Sequence, residues 1–97
     1  MERAEDKQYK MQGRVAIRRI GSDTFLVPVS GLAAGGRVFP LNESAECIWE
    51  CLSQGGTPSS AAERVVARFE VDKDTALADC VACAEELLEQ KLLEEVS

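Results

Sequence analysis

From residue 14 onward, the apolar positions change their spacing twice along the chain. Val15, Ile17 and then Ile20 precede the turn-like Gly21-Ser22-Asp23, and Phe25, Val27 and Val29 alternate in the run that follows. This predicts two strands joined by a short turn. Residues 30–36 (SGLAAGG) read as a glycine-rich loop, and Val38, Phe39 and Leu41 form a third extended piece ending around Pro40 and Asn42. Pro40 has no N–H to donate, so it fits a sheet only at an edge or a strand end, and the third strand is expected to be open on one side.

The remainder is patterned as helix. Asn42 can cap a helix reaching about Gln54, with Ala45, Ile48, Trp49 and Leu52 on one face and Gly55-Gly56 ending it. Thr57-Pro58 is an N-cap followed by proline at the first helical position, and Ala62, Val65, Val66 and Phe69 repeat as one apolar face up to about Glu70. Asp72 caps a third helix running to about Gln90, after which Leu92-Leu93 resemble a short strand folding back as a wing. The third helix carries two apolar stripes: Leu77, Val81, Ala84 and Leu88, and about 100° away Ala76, Cys80, Cys83 and Leu87. Both could be core; alternatively one packs inward while the other lines a groove beside the open third strand.

Ninety-seven residues bound the chain to one hydrophobic core. The expected fold class is α+β and winged-helix-like: a three-stranded antiparallel sheet, three helices and a short C-terminal wing strand over residues 14–97. Residues 1–13 mix both charge signs and lack the apolar stretch of a secretory signal, so they read as a flexible polar lead-in to a cytoplasmic protein. No apolar run approaches the roughly 18 residues that a membrane span needs, so no membrane partner is expected.

Charge narrows the function classes. Residues 1–37 carry a formal +3 and residues 38–97 a formal −9. A nucleic-acid backbone needs a basic stripe, and the helical half presents the opposite field. A winged-helix DNA-binding regulator is therefore disfavoured, since the third helix offers only Lys73 at its start and Lys91 just past its end. A basic or mixed-charge peptide is compatible with this field. The absence of histidine removes the usual general base and the commonest metal ligand. Asp79 has no nucleophile or paired acid at a catalytic spacing, and the run Glu85, Glu86, Glu89 reads as a solvated face that could attract basic residues of a partner.

Several pieces stand in a fixed order: Val38-Phe39 before Leu41-Asn42-Glu43, then Ile48-Trp49-Glu50 and Leu52, Gly56-Thr57, Asp79, and Glu86-Leu87 leading to Leu92. In that order they resemble the PqqD-like family. The resemblance implies a non-catalytic domain without a cofactor that holds the leader of a ribosomally made precursor peptide as an added strand. It further implies a modifying enzyme, such as a radical-SAM protein, as second partner. The implied peptide site is Arg37, Val38 and Phe39 on the third strand, with Leu77, Val81, Ala84 and Leu88 of the third helix as the groove wall. Main-chain hydrogen bonds at an open edge suit that use, and the same edge could pair two copies into a homodimer. The chain departs from the family pattern at Ala45 where glycine is common, at Cys83 in place of an aromatic, at Lys91 where a glycine usually precedes the wing, and at Thr57-Pro58-Ser59-Ser60 where acidic and aliphatic residues usually open the second helix.

The four cysteines offer a rival reading. Cys47 with Cys51, and Cys80 with Cys83, each share a helix face and could converge as a thiolate metal site. Structural zinc pairs normally sit on turns, whereas both pairs here are mid-helix, so packing as small hydrophobes is the expected role and no metal is assigned.

Overall fold

Each of the three α-helices among the described residues begins at a residue whose side chain caps it. Asn42 Oδ1 accepts the Ala45 N–H at 2.8 Å and starts α1 (Glu43–Leu52). Thr57 and Ser60 cap each other reciprocally through backbone N–H groups at the start of α2 (Pro58–Arg68). Asp72 accepts from both the Thr75 hydroxyl and the Thr75 N–H at the start of α3 (Lys73–Glu89), and these bonds hold its carboxyl below the ordinary carboxylate pKa. The computed structural model describes residues 3–28 and 38–96. Val29, the stretch 30–36 and Arg37 lie outside the described residues.

Among the described residues five strands make two sheets. β2 (Val15–Ile20) and β3 (Asp23–Pro28) form a hairpin whose two-residue turn has Gly21 at φ 63°, the positive φ that the first central position of a type II′ turn needs. β4 (Phe39–Leu41) adds antiparallel to β3, giving the order β2-β3-β4. The second sheet pairs β1 (Tyr9–Met11) with β5 (Leu93–Glu95). The predicted α+β, winged-helix-like order of three strands, three helices and a C-terminal strand is present.

The lead-in requires a correction. Tyr9 is only 2% exposed and belongs to the core, and β1 supplies the partner strand of the wing. Its backbone is also tied to the turn between α1 and α2, where the Tyr9 N–H donates to Gly56 O and the Met11 N–H to Ser53 O. Lys10 faces Glu94 across the ladder, with Nζ 3.3 Å from the carboxylate. A pair this exposed contributes only a few tenths of a kcal/mol, so the burial of Tyr9 and the backbone bonds dominate. Gly56 has a separate constraint: a Cβ there would fall 2.6 Å from the Cys51 carbonyl oxygen.

The core lies between the helices and the inner face of the larger sheet. Leu26 and Leu41 come from the sheet; Ile48, Trp49 and Leu52 from α1; Ala61, Ala62 and Val65 from α2. Small side chains on α2 face the equally small Ala76, Cys80 and Ala84 of α3, which lets the two helices approach closely. On β3 the buried pair is Thr24 and Leu26, while the alternating Phe25 and Val27 are only half-buried. Phe69, expected on the apolar face of α2, instead ends that helix half-buried, with the Arg68 guanidinium over its ring.

The end of α3 is a complete Schellman motif. The Leu92 N–H donates to Leu87 O and the Lys91 N–H to Leu88 O, with Lys91 at φ 62°. A lysine in this left-handed conformation costs about 1 kcal/mol that glycine would not. Lys91→Gly is accordingly expected to raise the unfolding free energy by about 0.5–1 kcal/mol, measured by urea denaturation. A variant less stable than the parent would overturn this account of the cap.

Candidate functional site: a cleft between β4 and α3

The residues of α3 do not divide into the two stripes that spacing alone defines. The buried line is Ala76, Cys80, Ala84 and Leu87, which takes members of both and runs between them. Leu77, Val81 and Leu88 are left half-buried on one flank, and Cys83 on the other. With a turn of 3.6 residues, 76, 80, 84 and 87 stay within about 80° of one another, a narrow seam that small residues can press against α2.

The Cys83 flank faces β4. Phe39 and Pro40 of the strand, Ala45 and Ile48 of α1, and Asp79, Ala82, Cys83 and Glu86 of α3 enclose a cleft of about 450 Å³, with Asn42 and Ser44 at its rim. Its mouth lies along a strand edge. β4 is the last strand of its sheet, with no strand on its outer side among the described residues. Because Pro40 cannot donate, the hydrogen-bonded pairs with β3 must be Phe39 with Leu26 and Leu41 with Thr24. Strand alternation then turns the Pro40 carbonyl toward the open side, and the same alternation continued one residue ahead of β4 directs the N–H and C=O of Val38 the same way. Val38 is 52% exposed.

The other flank of α3 forms a second cleft of about 530 Å³, where Leu77, Ala78 and Val81 face the N-terminal segment at Arg3 and Glu5. The two clefts meet at Ala82.

The residues expected for peptide contact are therefore not all together. Val38 and Phe39 stand at the open edge, and Phe39 lines the β4 cleft. Leu77 and Val81 line the second cleft, and Leu88 packs against the core. Ala84 is 0% exposed and is a core residue, so it offers no surface to a ligand. Arg37 lies outside the described residues. Spacing does not mark Pro40, Ala45, Ala82 or Glu86 as groove residues: it puts Ala45 on the apolar face of α1, leaves Ala82 outside both stripes of α3 and reads Glu86 as part of a solvated face.

The cysteines are thiols in apolar surroundings. Burial pushes the Cys80 thiol up to about 12, with smaller contributions from its neighbours Cys83 and Asp79. Burial also raises Cys83 to about 11, reinforced by the charges of Glu86 and Asp79. Among the described residues no group of three or more His, Cys, Asp or Glu side chains is arranged to hold one metal ion. Nor is any helix among them long and apolar enough to cross a membrane.

Residues 23–93 match the family model described as coenzyme PQQ synthesis protein D (PqqD), and the chain belongs to that family. No curated protein matches it in sequence. Two solved structures share the fold. One is a lasso peptide synthetase B1 complexed with the leader peptide, at a TM-score of 0.72 and 20% identity, covering 89% of this chain and 96% of that one. The other is TbiB1 in complex with the TbiA(beta) leader peptide, also at a TM-score of 0.72, with 24% identity and coverage of 91% and 98%.

Proposed function

We propose that this protein is a non-catalytic peptide-binding element that captures the leader of a ribosomally made precursor peptide and presents it to a modifying enzyme. The observation that carries the reading is the edge of β4, unpaired among the described residues, running along a cleft with apolar lining. An extended peptide added to that edge gains main-chain hydrogen bonds, while side chains on one face enter the cleft and are selected there. Membership of the PqqD family and the leader peptides bound by both similar structures support it. The peptide site then comprises Val38 and Phe39 with Ala45, Ala82 and Cys83, and Arg37 extends the strand edge.

The modifying enzyme is a radical-SAM protein or another maturase, and the complex works in the cytoplasm, where the four free thiols stay reduced. A homodimer through the same edge would compete with the peptide. The field of the helical half argues against the DNA-binding alternative, since the exposed side of α3 carries Asp79, Glu85, Glu86 and Glu89.

Val38→Pro removes the one outward N–H identified on this edge and is expected to weaken binding of the leader about tenfold, the worth of one hydrogen bond with its desolvation. Calorimetric titration with peptides encoded beside the gene measures this, and a thermal melt checks that the fold is kept. Binding indifferent to Val38→Pro would exclude strand addition on β4.

A further inference from the structure

We infer that the peptide accepted by the β4–α3 cleft carries a lysine or arginine beside its apolar anchor, and that Asp79 and Glu86 receive it. This rests on the peptide-binding reading and adds which peptides are chosen.

Phe39, Pro40, Ala45, Ile48, Ala82 and Cys83 give the cleft apolar lining, and Asp79 and Glu86 add two carboxylates on its α3 side. Asp79 and Glu86 are seven residues apart on α3, so they share one side of the helix and stand about 10 Å apart along its axis. Ala82 and Cys83 lie between them, and their short side chains leave the space above the helix free for a long one. Among the described residues no basic side chain lines this cleft. The ion pairs of the described residues join Arg3 to Glu5, Lys7 to Glu95, Lys10 to Glu94 and Arg19 to Glu46, and none involves Asp79 or Glu86. The upward push of both carboxylates on the Cys83 thiol is a separate sign that their field reaches the cleft floor.

A strand on the β4 edge sends alternate side chains to the same side, about 7 Å apart. If an apolar residue fills the floor between Phe39 and Ala45, the residue two positions away on that side comes to the two carboxylates. A carboxylate there would be repelled, and a neutral side chain would leave the field unanswered. An ammonium or guanidinium makes a charge-assisted hydrogen bond with either carboxylate. The −9 charge of residues 38–97 steers such a peptide toward this half of the molecule.

The test is selection of a displayed library of random 12-residue peptides on the full-length protein. Binders are sorted by loss of affinity on Val38→Pro and by protection of the Val38 amide from hydrogen exchange, which needs no substitution. Binders that pass are expected to be enriched in Lys or Arg two residues from an apolar position. The Asp79→Asn/Glu86→Gln double variant, changed only at exposed positions, should keep the apolar preference and lose the basic one. One selected peptide should bind this variant about tenfold more weakly, and its Lys→Gln analogue should lose the same factor on the parent protein and nothing more on the variant. Edge-dependent binders without a basic preference, or a preference kept by the double variant, would overturn this inference and leave the peptide-binding reading standing. An absence of edge-dependent binders would overturn the peptide-binding reading itself.

Discussion

Trp49→Ala is expected to remove about 3–5 kcal/mol of folding free energy, the largest loss from any single side chain considered. Trp49 is 3% exposed in α1, flanked by Ile48 and Leu52 in the core. Truncation forfeits its transfer free energy and leaves a cavity that three short helices cannot close without shifting against the sheet. Domains of this size have roughly 5–15 kcal/mol in total, so the variant should melt far below the parent and be partly unfolded near 37 °C. An unchanged melting temperature would remove Trp49 from the core. Phe69→Ala should cost less, because that ring is only half-buried at the end of α2.

Cys83→Asp is expected to weaken leader binding by about a hundredfold or more while costing the free domain much less. The site already disfavours negative charge: burial, then Glu86 and Asp79, push its thiol up to about 11. An aspartate in the same place meets the same three effects, and a bound peptide would remove the remaining water. Its carboxyl pKa must therefore be raised, and further raised by the apolar anchor of the peptide that covers the cleft floor. Binding by the variant should be poorest well above that pKa and recover as the pH falls through it and the carboxyl is neutralised. Val81→Asp is the control, since Val81 lines the cleft on the opposite flank. It should change affinity by no more than about twofold, the size expected for a charge outside the interface. Calorimetry on both variants across pH reads the outcome; a larger loss for Val81→Asp would move the peptide to the Leu77–Val81 flank.

Much of this fold was legible because its signals are local. A cap is a side chain bonding an N–H three residues ahead, so Asn42, Thr57 and Asp72 announce the three helix starts within one turn. Gly21 marks the β2–β3 turn, and Pro40 marks an edge strand, for equally local reasons. The opposite charges of the two halves, and the ordered motifs that resemble the PqqD-like family, also need no structure to be seen.

Faces and distant pairings were not legible in this way. Phe25, Leu26 and Val27 are apolar in succession, so alternation on β3 could not say that Leu26 points inward; its register with Phe39 on one side and Ile17 on the other decides that. Residues 9–11 hold two apolar positions among charges, and only the exposed edge of β5, more than eighty residues later, makes them a strand. On α3 the apolar arc is wider than one contact needs. The close approach of α2 chose the seam of Ala76, Cys80, Ala84 and Leu87, and β4 then closed over Cys83 and not over Val81. By itself, the sequence determined where each helix begins, that one strand edge stays open and that the helical half is acidic. Only the tertiary structure decided which side of α3 meets that edge, because a helix surface with several apolar lines acquires an inside only when its neighbours pack against it.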